Sequence, residues 1–354
     1  MKILHIAPEN FAGVPMTIVK SEKELGHYSR LITFYNTSGY EQDINLDLPF
    51  VKSSLVNRIR NLYYKSNLSN KLDIPAKIPI ECMPKGFLKN FYIKRRDNIW
   101  ENRVEDFIKK ADFDFYDFDF YQLDGGLGFL RNCKFIKRIV EKNKKVICMY
   151  YGSDLRTRGV IPYIDEISSL NLTVEYYHTL FHPNIHFIPF PFNSEKFSSY
   201  KTNLSDIIIG HSPTNRRLKG TDIILDVLKK LQQKHSFRIK LIENLPYQLA
   251  LEEKSKCSIF IDQISDLGYG ISSLESLALG IPTCSSLVKG FSSEFPDHPF
   301  IEVDETSLSE KLEQLITDQT YRIKKGDEGR VWVNTFHNHI QAVKKIHEKI
   351  SEIL

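Results

Sequence analysis

Cysteine is scarce. The five thiols, Cys82, Cys133, Cys148, Cys257 and Cys284, are odd in number, scattered and without a C-x-x-C pair. That excludes a disulfide framework and a thiolate zinc site of the usual spacing, and it points to a reducing, cytoplasmic setting. Long apolar runs are missing as well. No stretch approaches the roughly 18 apolar residues of a membrane span, and Met1 leads into a strand-like run where a secretory signal would carry its apolar core. Neither an internal repeat nor a low-complexity tract occurs. Charge of one sign is in short supply: 48 Lys/Arg against 44 Asp/Glu leave a net charge of +4, too little to indicate nucleic acid by itself. What remains is 42% hydrophobic and 26% charged over 354 residues, the composition of a globular protein with material for two cores.

The chain opens with a strand at Ile3 to Ala7, a loop holding Gly13, a helix from Met16 to Leu25, and a second strand from Ser29 to Phe34. This β-α-β unit begins a doubly wound sheet, and Gly13 sits at its crevice position. Residues 41–100 break the alternation. From Val51 to Trp100, eleven Lys/Arg stand against three Asp/Glu, interleaved with aromatic and aliphatic side chains. Such a segment either lies on an anionic membrane surface or forms a solvated insertion. No RNA-binding motif accompanies it, so no nucleic-acid partner is expected. Trp100 to Ala111 reads as a helix. The alternation of Asp112, Asp114, Asp117 and Asp119 with aromatics up to Tyr121 predicts a strand with its aspartates on one face, and no metal site. A helix from Phe129 to Lys142 and a strand from Lys145 to Tyr150 follow. Tyr151-Gly152-Ser153-Asp154-Leu155-Arg156 then occupies a C-terminal strand end, where such sheets bind ligands. Asp154 either orients a hydroxyl or caps a helix, and Arg156 offers a fork to phosphate.

Prolines and turn formers from Ile188 to Phe197 mark a domain junction. Beyond it, Ile207 to Ser212 is a strand, and Pro213 to Thr221 a loop carrying Arg216, Arg217 and Lys219. A helix from Asp222 to Gln233 follows, with Thr221 as its N-cap. Phe237 to Ile242 is a strand, Leu245 to Lys254 a helix, and Ser258 to Ile261 a buried strand. Gly268 and Gly270 then make a flexible loop before a helix capped by Ser272 and stopped by Gly280. A helix N-terminus offers free N–H groups and a positive dipole end, so a diphosphate is the natural ligand. Ser272-x-x-Glu275 is also a capping box, leaving Glu275 either as a cap or as a ligand contact. Both loops sit at C-terminal strand ends and can converge on one ligand. Ser307 to Ile316 reads as a helix capped by Thr306. Val331 to Leu354 reads as another, with an apolar stripe at Ile340, Val343, Ile346, Ile350 and Leu354.

The stretch from Leu267 to Thr283 resembles the glycine-rich donor loop of family 4-type GT-B glycosyltransferases (glycosyltransferase group 1), E-G-F-G-L-P-x-x-E-A-M-A-x-G-x-P-V. Gly268, Tyr269, Gly270, Glu275, Ala278, Gly280 and Pro282 fit; Leu267 stands where the first glutamate of the E-x7-E motif belongs. Asp262-Gln263-Ile264 before Gly268-Tyr269-Gly270 is similar to a D-Q-L-x-x-G-x-Y-G variant. Tyr151 to Arg156 resembles an H-G-S-D-L-R motif with tyrosine for histidine. Lys219-Gly220 matches a phosphate-gripping K-G pair; Thr214 fills the usual arginine position, so Arg216, then Arg217, substitutes. The resemblance implies an α/β GT-B architecture, two Rossmann-like domains facing across a cleft. Residues 1–190 would form the acceptor side with a basic insertion at 41–100, 191–335 the nucleotide-sugar donor domain, and 336–354 a helix crossing back. It further implies a hexosyltransferase-like enzyme moving a sugar from a UDP- or GDP-linked donor to a glycan or lipid-linked acceptor. Retention of configuration, and independence of metal or other cofactor, come with the family. Asp154, Lys219 and Arg216 take catalytic roles. Gly13, Arg217, Gly268, Tyr269, Gly270, Ile271, Ser272, Ser273, Leu274 and Glu275 contact the donor, Glu275 at the ribose. The location implied is cytoplasmic, peripheral at the inner membrane face through 51–100. Leu267 motivates an alternative: a non-catalytic nucleotide-binding or scaffold protein of a glycan-assembly complex.

Overall fold

Strands buried on both faces are largely apolar, and the strand-like runs of the sequence build two wholly parallel sheets. The computed structural model describes residues 1–36, 39–49, 74–80, 87–197 and 206–354, without the side chains of 87–90 and 92. These fall into two compact units, Met1–Pro191 with His339–Leu354, and Phe192–Asn338.

Unit 1 contains β1 (Lys2–Ala7), α1 (Val14–Glu24), β2 (Tyr28–Thr33), β3 (Ile44–Asn45), α2 (Phe87–Lys110), β4 (Phe120–Asp124), α3 (Lys134–Glu141), β5 (Lys145–Tyr150), α4 (Pro162–Ile167), β6 (Leu170–Thr173) and β7 (His186–Phe187). Unit 2 contains β8 (Ile208–His211), α5 (Arg216–Lys219), α6 (Thr221–Leu231), β9 (Arg238–Leu241), α7 (Tyr247–Ser255), β10 (Ile259–Gln263), α8 (Ile271–Ala278), β11 (Thr283–Ser285), α9 (Phe291–Glu294), β12 (Ile301–Glu302), α10 (Leu308–Thr317) and α11 (Gln319–Phe336). The chain then returns to unit 1 as α12 (His339–Ser351).

The strand order is β3-β2-β1-β4-β5-β6-β7 in unit 1 and β12-β11-β10-β8-β9 in unit 2. The direction of winding therefore reverses between β1 and β4 in the first sheet and between β8 and β10 in the second. Doubly wound sheets bind ligands at such switch points, beyond the C-terminal strand ends. Ile3, Ile147, Met149 and Leu172 of the first sheet share a core with Val343, Ile346 and Ile350 of α12, which is where the C-terminal apolar stripe goes. Ile209 and Ile261 share the second core with Leu228 and Leu312.

Unit 1 also buries an ion pair. His5 Nε2 lies 2.7 Å from Glu22 Oε2, and the Ser29 hydroxyl donates to the same oxygen at 2.6 Å. From α12, His347 Nε2 stands 3.5 Å from Glu22 Oε1. Burial by itself raises the Glu22 pKa, but the His5 charge and the three hydrogen-bonding neighbours outweigh it and hold the group at about 2. Burial likewise lowers His5, and Glu22 carries it back above its ordinary value.

Several sequence expectations need correction. The aspartate-rich stretch is a strand only from Phe120. Asp114 accepts from the Tyr116 amide at 2.8 Å, Asp119 accepts from the Lys2 amide at 2.8 Å, and Asp117 pairs with Lys2 Nζ at 2.6 Å. These bonds, one local and two to Lys2, outcompete a ladder, while Phe115 and Phe118 bury themselves. The helix expected from Phe129 starts at Lys134, because Cys133 takes a positive φ of 57° and Asn132 accepts from the Lys134 amide. The C-terminal helix is two helices, broken where the His337 carbonyl accepts from the Phe192 amide, and the first begins at Gln319 with Asp318 as its cap. Thr306 does not cap α10; Asp304 Oδ1 accepts from the amides and hydroxyls of both Thr306 and Ser307. The helix expected from Trp100 begins earlier, at Phe87. Of the basic segment 51–100, residues 51–73 and 81–86 lie outside the described residues. Among the described residues no helix is long and apolar enough to cross a membrane.

Candidate active site

At the switch point of unit 2, His211 at the end of β8 pairs in register with Ile261 of β10. The loops leaving these two strands meet. The Ile264 amide donates to the Lys219 carbonyl at 3.3 Å. Gly220 lies against Ile264 so closely that a Cβ would overlap its Cγ1, and its φ of +68° favours glycine. Buried His211 ties this corner together: Nδ1 contacts the Ile261 carbonyl at 2.8 Å and Nε2 the Thr221 hydroxyl at 2.9 Å. Burial lowers its pKa, so the ring is neutral. Thr221 is accordingly a buried first residue of α6 and not its cap; Gly220 holds the cap position.

Lys219 Nζ reaches Asp262 Oδ1 at 2.7 Å. The other Asp262 oxygen accepts from the Gly270 amide at 3.1 Å and the Ser273 hydroxyl at 2.7 Å. Gly270 holds the cap position of α8 and Ser272 does not; Asp262, from the preceding strand, braces that turn through the Gly270 amide and the Ser273 hydroxyl. Burial alone raises the Asp262 pKa; the Lys219 charge outweighs it and holds the carboxylate below its usual value. A Cβ on Gly270 would lie 3.8 Å from Lys219 Nζ, so the ammonium sits at the helix N-terminus. The Ser273 and Leu274 amides donate to the Gly270 carbonyl. The amides of Ile271 and Ser272 are left without a backbone acceptor among the described residues.

On the other side of the same turn, Lys254 from α7 donates to the Ser272 carbonyl at 3.2 Å and the Ser272 hydroxyl at 2.8 Å, and pairs with Glu275 Oε2. The Phe260 ring lies 4.9 Å from Nζ. Glu275 thus does not close a capping box with Ser272: Gly270 holds the cap position of α8, Ser272 lies inside the helix, and the Ser272 hydroxyl and Glu275 Oε2 both accept from Lys254. Tyr269 turns its ring into an aromatic cluster, 4.7 Å from Phe300 and 5.2 Å from Phe291, with its hydroxyl 3.1 Å from His337 Nε2. It anchors the glycine loop and leaves the backbone to face a ligand. Leu274 belongs to the core. Arg216 is engaged by Glu243 through two bonds of 2.9 and 2.7 Å, while exposed Arg217 makes no ion pair among the described residues.

Helix α11 backs α8. A Cβ on Gly326 would overlap the Gly280 carbonyl oxygen, and Arg330 Nη2 donates to the Leu279 carbonyl at 3.2 Å. Alanine at 326 gains helix propensity of about 1 kcal/mol, but a backbone oxygen has nowhere to go. Gly326→Ala is expected to destabilise unit 2 by about 1–3 kcal/mol net, read as a lower urea midpoint at unchanged slope. An equal or higher midpoint would show that the two helices slide apart freely.

In unit 1, Gly13 is the N-cap of α1 with φ +76°, covered by the Tyr40 ring. Asp154 spends both oxygens on backbone, accepting from the amides of Tyr151 (2.9 Å), Gly152 (2.8 Å) and Leu155 (2.8 Å). Asp154 is the first residue of the short helix Asp154–Arg158, whose cap position is Ser153, so it is not an N-cap; the loop after β5 is folded around its carboxylate. Arg156 lies over the Tyr177 ring at 5.7 Å. Asp124, at the end of β4, is raised to about 6 by burial; Tyr151 takes a place beside it.

The structure thus brings Lys219, Gly270, Ile271, Ser272, Ser273 and Glu275 around one helical turn. Gly13 and Asp154 belong to the other unit. The roles of Asp262 and Lys254 were not read from the sequence. Asp262 carried a signal, its place in the D-Q pair; Lys254 carried none beyond closing a helix.

Comparison of the sequence with known protein families and with curated proteins gives no match. Solved structures match over the whole chain. Sucrose-phosphate synthase from Thermosynechococcus elongatus has a TM-score of 0.60 at 10% identity, over 100% of this chain and 99% of that one. TarM from S. aureus gives 0.60 at 11%, over 100% and 99%. Anabaena Alr3699/HepE, solved with UDP-glucose, gives 0.57 at 11%, over 99% and 100%. Sucrose-phosphate synthase and TarM are GT-B glycosyltransferases, and the two parallel sheets of this chain form the GT-B fold. At these identities the likeness is one of fold.

Proposed function

We propose that the chain is a glycosyltransferase that moves a sugar from a nucleoside-diphosphate sugar to a glycan or lipid-linked acceptor, with retention and without a metal. The observation that carries this reading is Lys219 held at the N-terminus of α8, one turn from the Glu275 carboxylate. As the bond from the anomeric carbon to the diphosphate oxygen breaks, negative charge grows on the leaving group. Lys219 and the amides of Ile271 and Ser272 stabilise it, a preorganised electrostatic contribution that needs no metal. Arg217 closes on the outer phosphate as a fork. Glu275 accepts from the ribose hydroxyls. Asp154 organises the loop after β5, its two oxygens accepting from three amides. The acceptor hydroxyl instead passes its proton to the departing diphosphate oxygen as its own oxygen bonds the anomeric carbon. The structure of Alr3699/HepE with UDP-glucose favours UDP as the carrier.

The test is thermal shift of the purified protein against UDP, GDP, ADP and their common sugar conjugates. A ligand at 100 times its dissociation constant stabilises the native state by about 2.7 kcal/mol. A rise with one nucleotide, abolished in Glu275→Ala, is expected. No shift with any of them at millimolar concentration would sink the proposal. Leu267, in place of the first motif glutamate, supports a second reading, a nucleotide-binding protein without turnover. Nucleotide affinity with neither transfer nor donor hydrolysis would select it.

A further inference from the structure

The two ion pairs of unit 2 present opposite partners. In Lys219–Asp262 the carboxylate is fully buried and the ammonium keeps 16% of its surface. In Lys254–Glu275 the ammonium is the buried partner at 2%, and the carboxylate keeps 8%. One pair shows a ligand a cation held by a hidden anion; the other shows an anion held by a hidden cation. An ammonium has three N–H donors, and Lys254 places all three: on the Ser272 carbonyl, the Ser272 hydroxyl and Glu275 Oε2. It has none left for a ligand. Glu275 Oε1, by contrast, makes no hydrogen bond among the described residues.

Burying an ion pair contributes little to stability compared with apolar side chains of the same volume. What this pair does contribute is geometry. Lys254 fixes one carboxylate oxygen of Glu275 and, through the same nitrogen, the first turn of α8, whose amides face the diphosphate. We infer that Lys254 is a positioning residue for nucleotide recognition. It fixes Oε2 of Glu275 so that Oε1 is left for paired hydroxyls, and it sets their distance from the phosphate-binding turn. The inference rests on the proposed transfer function.

Calorimetric titration with UDP and GDP and with their 2′,3′-dideoxy analogues tests it, on wild type, Lys254→Met, Glu275→Gln and the double variant. Hydrogen bonds to a charged group contribute about 1.5–3 kcal/mol, so wild type should prefer the ribonucleotide by about 10–100-fold. In Lys254→Met the preference should fall to within about threefold while pyrophosphate still binds. Glu275→Gln should match it, and the double variant should lose no more, because Lys254 acts through Glu275. A purely structural role would weaken all ligands alike and leave the preference intact, and that result overturns the inference alone. Wild type that binds no nucleotide overturns the transfer function and this inference with it. If Lys254→Met does not fold, Lys254→Gln, which keeps a donor for the Ser272 carbonyl but no charge, gives the reading: a folded protein with the preference reduced supports positioning, and one with the wild-type preference refutes it.

Discussion

Lys219→Ala is expected to lower sugar transfer by about 10²–10³-fold, the scale seen when one preorganised donor to a developing anion is removed. Lys219 is the cation at the N-terminus of α8, and no second ammonium replaces it, because Lys254 has spent its donors. The substitution has a second effect. It leaves the fully buried Asp262 carboxylate without its counter-ion, and breaking a buried pair costs about 3–5 kcal/mol. Loss of rate must therefore be separated from loss of fold, and Lys219→Ala combined with Asp262→Asn does so. The neutral amide keeps an acceptor for Gly270 and Ser273, so stability returns while the rate stays low. The pH profile distinguishes the variants as well. Native Asp262 is depressed below its unfolded value, so its pair stabilises the fold above the unfolded carboxylate range. That contribution is lost as pH falls through the depressed value. The double variant lacks this acid limb. Initial rates of nucleotide release from the donor, set beside melting curves, decide the matter. A rate within threefold of wild type in the stable double variant would remove Lys219 from the chemistry.

Glu22→Gln should produce the largest loss of stability in unit 1, again about 3–5 kcal/mol. His5 would then keep a buried ring without its anion, and Ser29 and His347 would lose a charged neighbour. For a unit of this size the melting point should fall by about 10 °C. Two signs follow from the pKa directions. Glu22 is held at about 2, so its contribution is present above the unfolded glutamate range and fades as pH falls towards 2. His5 is raised, so its contribution is present below the unfolded histidine range and fades as pH climbs through the folded value. The wild-type stability profile should therefore be a dome over mildly acidic pH, and Glu22→Gln should flatten both sides. Urea unfolding followed from pH 3 to 9 tests this; a variant that keeps the dome would mean the pair is not what stabilises the unit.

The alternation of strand, loop and helix was legible because strands buried on both faces read as short apolar runs punctuated by glycine and proline, as at residues 146–150 and 259–261. Caps were less legible. Hydroxyls at Thr221, Ser272 and Thr306 occupy suitable positions, yet the cap positions fall to Gly220, Gly270 and Ser307, and the carboxylates of Asp262 and Asp304 bond the turns that lead into α8 and α10. A carboxylate makes the stronger bond to a helix dipole, and Asp262 reaches α8 from eight residues away, beyond any local pattern. The ion pairs were hidden for the same reason. Lys219 and Asp262 lie 43 residues apart and Lys254 and Glu275 lie 21 apart, and only the fold brings them together. The aspartate-aromatic stretch misled because alternation of period two also arises in a loop whose aspartates bind backbone and whose rings turn inward.

Unit 1 is discontinuous: its last helix is separated from the rest by the whole of Phe192–Asn338. During synthesis this imposes an order. Unit 2 is complete as soon as Asn338 has left the ribosome, while the earlier-made unit 1 still lacks Val343, Ile346 and Ile350 from its core. The first sheet must wait, with an apolar face uncovered, until the segment His339–Leu354 has been made, and that segment acts as the latch on a unit whose strands were made before unit 2.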